Sequence, residues 1–266
     1  MLHKTPFDSV ASTYDEDFTH TIIGKLQRER THYFTQHYLP KNAALKILEL
    51  NCGTGEDAIW MSQQGHQVLA TDSAKKMIDI ARSKNNKLNL NIRFEVFAFN
   101  ELNNKFLGQQ FDIIFSNFAG LNCINEQELK KLNDDFISLL KPNGKLIMVL
   151  LGKYSWIEKL YFLLKGDIKN ANRRLVSTSA NLGNDIFQTT WCYSVNQIKE
   201  IFTSFNLENH KPIGIIIPPS YFNCLLKKIK ILIPLIKLFE KLFSRFSILS
   251  NYGDHIFIIM SNNDKK

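Results

Sequence analysis

Leu45-Lys-Ile-Leu-Glu-Leu50-Asn-Cys-Gly53-Thr-Gly55-Glu-Asp-Ala58 joins an apolar run, a glycine-rich turn and the opening of a helical pattern. Leu45–Leu50 is predicted as a strand and Asp57–Gln64 as a short helix. Glycines at 53 and 55 let the backbone turn sharply and let a ligand approach the main chain. The N-terminus of the following helix favours polar groups at the same place. Gly53-x-Gly55-x-x-Ala58 thus suits a ligand that presents an adenosine ribose. Asp72, at the end of the next strand, can accept bonds from two adjacent ribose hydroxyls.

Working outward, Gln67–Thr71, Asn91–Phe97, Phe111–Ser116 and Gly144–Leu150 are predicted as further strands. Between them lie a helix capped by Ser73 and running to about Lys84, and one from Glu126 to Leu140 that Lys141-Pro-Asn-Gly144 stops. This alternation implies βαβ units and a mostly parallel sheet. Past Leu151, Trp156–Leu164 reads as a helix, 165–186 as polar and irregular, and 195–205 as a helix capped by Ser194. Asn209–Ile217 and His255–Met260 read as strands. The residues before the sheet, including Phe7–Asp15 and Lys25–Tyr38, are predicted helical. The expected organisation is one domain over 1–266, with an N-terminal helical cover (1–43) and a ligand-binding core (44–150). Insertions at 151–193 and 218–252 are expected to serve as lids or substrate contacts.

The 266 residues are 44% hydrophobic and 22% charged, the proportions of a globular chain. Cys52, Cys123, Cys192 and Cys224 form no C-x-x-C pair and have no histidine at metal spacing. Reduced thiols and no metal site are therefore expected. No apolar leader and no run long enough to span a bilayer is present, which points to the cytoplasm. The formal charge of +8 is local: residues 221–250 hold six basic residues against Glu240, a net +5, leaving +3 elsewhere. A chain-wide nucleic-acid face is not indicated.

Glu49, two residues before the loop, puts a carboxylate where a cationic amino group is welcome and an anionic pyrophosphate is repelled. The loop begins only after Leu50, so a helical cover precedes the sheet, and the final strand follows an inserted segment. With Glu49-Leu-Asn-Cys-Gly53-Thr-Gly55, Asp72, Phe111-Asp-Ile-Ile-Phe-Ser-Asn117-Phe-Ala-Gly-Leu-Asn-Cys123 and Leu140-Lys-Pro-Asn-Gly144, the chain resembles the class I S-adenosylmethionine-dependent methyltransferases. The resemblance runs from residue 7 to about 150 and, more loosely, to the end. It implies an α/β, Rossmann-like, seven-stranded, mostly parallel sheet of order 3-2-1-4-5-7-6 with strand 7 antiparallel. It implies S-adenosyl-L-methionine as cofactor and S-adenosyl-L-homocysteine as product. By the same resemblance, Glu49 and the backbone of Asn51, Cys52, Gly53, Thr54 and Gly55 hold the methionine part, and Asp72 holds the ribose. Ser73 and Met77 flank the adenosine, Ala98 and Phe99 the adenine, Asn117 and Phe118 the sulfonium, while Tyr14 closes over the cofactor.

There are two departures from the family pattern. Asn51 replaces the first glycine, and asparagine tolerates the left-handed backbone angles needed there. The acid often found after the third strand is replaced by Ala98-Phe99-Asn100, leaving the adenine amino group to Asn100 or a backbone carbonyl. A nicotinamide-dependent oxidoreductase shares the loop, and a non-catalytic S-adenosylmethionine-binding regulator shares the whole site.

The expected acceptor is a small molecule. Ser116-Asn-Phe-Ala119 stands where amino-methylating nucleic-acid enzymes carry a D/N/S-P-P-Y/F tetrad, and no cysteine follows a proline. Pro218-Pro-Ser-Tyr221 resembles the tetrad but lies elsewhere in the fold. No residue identifies itself as a catalytic base. His20, His32, His37, Arg28 and Arg30 read as helix-surface residues, His255 and Asp112 as structural, and Asn122 and Cys123 as acceptor contacts or packing. In 221–249 apolar residues recur three or four apart among lysines. The segment is a packed hairpin, a lid, or a surface for lipid headgroups or a lipid-like substrate. Tyr221 and Phe222, with Trp156, Tyr161 and Phe162, are expected near the site's mouth, favouring an apolar or aromatic acceptor.

Overall fold

The computed structural model of the protein describes residues 5–102, 106, 108–183 and 185–262. The parallel strands are β1 (Lys46–Leu50), β2 (Gln67–Asp72), β3 (Arg93–Val96), β4 (Phe111–Ser116) and β5 (Leu140–Leu151). β6 (Thr178–Gly183) and β7 (Ile186–Thr190) form a separate antiparallel hairpin. β8 (Phe205–Ile213) and β9 (His255–Asn262) complete the main sheet, whose order is β3-β2-β1-β4-β5-β9-β8. β9 runs antiparallel to both β5 and β8. Counting only strands of this sheet, the order is 3-2-1-4-5-7-6 with the seventh antiparallel, the topology expected above.

The helices are α1 (Pro6–Val10), α2 (Ile22–Thr35), α3 (Glu56–Gln63), α4 (Lys75–Lys87), α5 (Glu126–Leu139), α6 (Trp156–Leu164), α7 (Ile168–Ala171), α8 (Val195–Ile201), α9 (Asn223–Lys228) and α10 (Ile233–Phe243). They cover both faces of the sheet, which is why its strands are continuous apolar runs. On one face Leu48, Ile114, Met148 and Ile258 meet Leu129 and Phe136 of α5 and Ile198 of α8. On the other, Ile47, Phe115, Ile147 and Phe257 meet Phe34 of α2, Ala58 and Met61 of α3, and Ile78 of α4. Alternation along β1 sends Glu49 to this second face, among α2 and α3.

Three local expectations are corrected. The polar stretch 165–186 is not irregular: it holds α7 and most of the β6–β7 hairpin, which turns with Gly183 (φ 109°) and Asp185 (φ 56°). The sixth sheet strand ends at Ile213, not Ile217, because the carboxylate of Glu240 takes the amides of Gly214, Ile216 and Ile217. Ser73 does not cap α4. The residue before that helix is Ala74, whose amide donates to Asp72 Oδ1 at 2.8 Å, and the Lys76 amide donates to Asp8 Oδ1 at 2.9 Å. Asp8 belongs to α1, so the N-terminal segment itself supplies the cap. Pro234 sits in the first turn of α10, where its missing N–H costs no helical bond.

Candidate functional site

A cavity of about 800 Å³ opens at the carboxyl ends of β1, β2 and β4, where open α/β sheets bind ligands. Its floor is the glycine loop. Asn51 (φ 49°), Gly53 (φ 53°) and Gly55 (φ 85°) all take left-handed angles, so the asparagine does adopt the backbone a glycine would. A Cβ on Gly55 would lie 2.9 Å from Ala81 Cβ of α4, so glycine there is a packing requirement as well. The Asn51 side chain bridges two strands: its Nδ2 donates to Asn117 O at 2.7 Å and its Oδ1 accepts from Ser116 Oγ at 2.6 Å. It lies over Gly120, where a Cβ would come within 2.0 Å of Asn51 Cγ. Phe118 (φ 47°) and Ala119 (φ 65°) are held in left-handed conformations between these anchors, a strained turn of the kind found beside ligand sites.

Asp72 ends β2 on the cavity wall, its Oδ2 accepting from Gly53 N at 2.9 Å and its Oδ1 from Ala74 N. Burial pushes its carboxyl up to about 6, although these amide bonds pull the other way. Around it the wall is formed by Ser73, Met77, Phe97, Ala98 and Phe99. The Asn100 side chain lies outside the described residues. Cys52 and Thr54 are buried behind the loop, and the Thr54 hydroxyl donates to Asp15 Oδ1 at 2.6 Å. Asp15 also pairs with Lys84 of α4 at 2.5 Å. Together with the Asp8 cap, these contacts fasten the N-terminal segment over the loop and set Tyr14 in the cavity wall. Burial pushes the Tyr14 phenol up to about 12.

Beneath the loop Glu49 is fully buried, and its Oε2 has no hydrogen-bond partner. Burial, then the nearby Asp57 carboxylate, raises its carboxyl well above the ordinary range, with Arg28 offsetting part of the effect. Asp57 is the hub of this layer. It accepts from Asn117 Nδ2 at 2.9 Å, pairs with Arg28 Nη1 at 2.5 Å and meets His32 Nε2 at 2.7 Å. Burial alone would raise Asp57, but Arg28 and His32 hold it far below the usual carboxylate range. Arg28 also lies over the Phe118 ring at 4.7 Å, and His32 stacks on Trp60. Reading Arg28 and His32 as surface residues was therefore wrong. One helical turn apart on α2, they face inward and tie it to α3. Arg30 is buried too, donating to Ser244 Oγ, whereas His20 and His37 are exposed.

The structure thus brings Tyr14, Asn51, Gly53, Asp72, Ser73, Met77, Ala98, Phe99 and Phe118 to one cavity. Glu49, Cys52, Thr54, Gly55 and Asn117 lie in the layer that shapes it. Asp8, Asp15 and Asp57 were not anticipated. The spacing Phe7-Asp8-x-x-Ala11-x-x-Tyr14-Asp15 carried the signal for the first two. The far half of the cavity is lined by Cys123 and Ile124 after β4, Glu128, Lys131, Leu132 and Asp135 of α5, and Gln188 of the hairpin. Burial pushes the Cys123 thiol up to about 12. Asn122 is not available to a ligand. It is buried, with Oδ1 taking the Leu151 amide and Nδ2 donating to Trp191 O.

The expected aromatic mouth is not formed. Among the described residues, neither 218–252 nor Trp156, Tyr161 and Phe162 line this cavity. Tyr161 packs on Phe222, and Tyr221 bonds Glu158, in a separate cluster that Arg174 ties to Asp254. Trp156 lines a different cleft of about 300 Å³. The buried Glu158–Arg174–Asp254 ion triad, to which the Tyr221 hydroxyl bonds, anchors this separate cluster. His255, beside Asp254, is buried edge-on to Phe118. Asp112 takes the Lys46 amide and Lys141.

Residues 47–144 match the family model described as a methyltransferase domain. The chain is 28% identical over 142 residues to a demethylmenaquinone methyltransferase of Clavibacter sepedonicus, covering 53% of this chain and 55% of that protein. It is 26% identical over 171 residues to a malonyl-[acyl-carrier protein] O-methyltransferase of Bacillus anthracis, covering 59% and 57%. The chain spans about half the length of the curated relatives it matches. Its fold matches the CcbJ methyltransferase of Streptomyces caelestis with a TM-score of 0.62 at 15% identity, over 97% of this chain and 98% of that one. It also matches the PH0226 protein of Pyrococcus horikoshii OT3 with a TM-score of 0.59 at 16% identity, over 94% and 97%. The strand order, the glycine loop with its buried acid and the acid ending β2 agree with these matches, which together support a class I S-adenosylmethionine-dependent methyltransferase.

Proposed function

We propose that the chain transfers a methyl group from S-adenosylmethionine to a small, largely apolar acceptor bound in the far half of the same cavity. The observation that carries this reading is the continuity of one cavity from Gly53 and Asp72, past Phe118, to Cys123, Ile124 and Leu132. The residues fit the cofactor. The partnerless Glu49 Oε2 is a buried acceptor suited to an ammonium group, Asp72 suits a ribose diol, and Met77, Phe97 and Phe99 suit an adenine. When bound, S-adenosylmethionine supplies a methyl group on a sulfonium, which needs no further activation as a leaving group.

What the chain's own residues contribute is alignment and exclusion of water. Holding two reactants in line is worth several kcal/mol, up to roughly 7–11 in favourable cases. Phe118, held by the Asn117 side chain and the Arg28 guanidinium, lines the cavity, and in this reading it sets that alignment. Tyr14 and Cys123 are both held protonated by burial, so neither serves as a neutral-pH base. The relatives named as demethylmenaquinone methyltransferases support a largely apolar acceptor.

The test is transfer of a labelled methyl group into a fractionated cell extract. Label in the small-molecule, organic-soluble fraction is expected. Label confined to nucleic acid or protein, or cofactor binding with no transfer to any fraction, would overturn the proposal.

A further inference from the structure

Helix α10 is apolar on two opposite sides. On the inner side Ile233 and Ile236 pack with Ile23, Leu26, Ile217 and Leu226. Glu240, on the same side, is completely buried and accepts from the amides of Gly214, Ile216 and Ile217 at 2.8–3.1 Å. Half a turn away, Leu235, Leu238 and Leu242 form a ridge that is 49%, 60% and 46% exposed. The flanking Ile231 and Ile248 are 88% and 83% exposed. An outward ridge of this length on a helix already satisfied on its inner side is not needed for the fold.

The charges around the ridge have one sign. Lys227, Lys228, Lys230, Lys237, Lys241 and Arg245 are exposed, and the segment's one acid, Glu240, is consumed inside. Lys237 pairs with Glu29 of α2; among the described residues the other five make no ion pair. An apolar ridge rimmed by unneutralised cations is complementary to the acyl boundary and anionic headgroups of a bilayer. Among the described residues no helix is long and apolar enough to cross a membrane, so the contact is one of lying on it. We infer that residues 225–248 dock this protein onto anionic phospholipid bilayers, with Leu235, Leu238 and Leu242 inserted and the lysines on the headgroups. Docking does not depend on which acceptor is methylated. It joins the site through α2, which carries both Glu29 and Arg28.

Flotation of the full chain with phosphatidylglycerol-containing vesicles and with pure phosphatidylcholine vesicles tests the inference. Wild type is expected to float with the anionic vesicles, to partition roughly tenfold less onto the neutral ones, and to be released by high salt. Leu238→Glu/Leu242→Glu should lose binding by about tenfold or more while still binding S-adenosylhomocysteine, which shows that it is folded. Lys228→Gln/Lys230→Gln should weaken only the anionic-vesicle binding. Failure of wild type to float would overturn the inference. So would unchanged flotation of a folded Leu238→Glu/Leu242→Glu protein, or a ridge covered in a stable dimer that ignores vesicles.

Discussion

Thr54 Oγ1 donates to Asp15 Oδ1 at 2.6 Å, joining the glycine loop directly to the N-terminal segment that carries Tyr14. The N-terminal segment that walls the cavity is thereby held by the loop it covers. Lys84 pulls the same carboxylate toward α4. Asp15→Ala should loosen this cover without unfolding the sheet. Hydrogen exchange of residues 6–20 is expected to speed up, and S-adenosylhomocysteine affinity to fall several-fold. Unchanged exchange there would mean that the Thr54–Asp15 bond does not hold the segment.

Burial, then the nearby Asp57 carboxylate, raises the Glu49 carboxyl well above the ordinary carboxylate range, so it gives up its proton less readily than an exposed carboxyl. A ligand ammonium placed beside it favours the ionised form, and binding near pH 7 should release a proton. Calorimetry in buffers of differing ionisation enthalpy is expected to show this release for wild type and not for Glu49→Gln. The variant should bind about tenfold or more weakly, the loss of roughly 1.4 kcal/mol for a charge-assisted bond. Equal proton release in the two proteins would remove Glu49 from the site.

Asp72 carries a carboxyl raised by burial to about 6, and only its ionised form accepts two hydroxyl donors well. Its contribution to binding is therefore absent below that value and gained as pH rises through it. Affinity for S-adenosylhomocysteine should climb between pH 5 and pH 7, by up to about tenfold for this one group. Asp72→Asn should flatten that part of the profile, and Asp72→Ala should weaken binding at least about tenfold. A wild-type profile flat across pH 6 would contradict the ribose assignment.

The loop and the acid ending β2 were legible because they are local: a strand, two glycines and a helix must lie in that sequence to build the turn, whereas the sheet order followed from the family resemblance. What escaped was set by partners far along the chain. Arg28 and His32 read as surface residues because Asp57, which turns both inward, lies on another helix. Ile213–Ile217 read as strand because nothing nearby shows that Glu240 will claim its amides. The hairpin could have been seen. Thr189 and Thr190 have β-favouring side chains and follow a Gly-Asn-Asp turn signal at 183–185, but the surrounding polarity masked it.

Asn51 and Gly120 are a matched pair, since a Cβ at 120 would come within 2.0 Å of Asn51 Cγ. Gly120→Ala alone should be strongly destabilising, with thermal denaturation showing a loss of several degrees. Asn51→Gly should cost about 1 kcal/mol or more for the bonds to Ser116 and Asn117. The double variant should be more stable than Gly120→Ala alone, and purely additive losses would show that the two positions do not interact.

Central to all of this is the cavity at Gly53 and Asp72, above the buried Glu49, as a binding site for S-adenosylmethionine. Isothermal titration of the purified chain with S-adenosylhomocysteine and, separately, with NAD⁺ and NADH tests it most directly. Saturable one-to-one binding of S-adenosylhomocysteine in the micromolar range, about 8 kcal/mol, is predicted, with no heat from either nicotinamide dinucleotide. Binding of a nicotinamide dinucleotide with none of S-adenosylhomocysteine would contradict it.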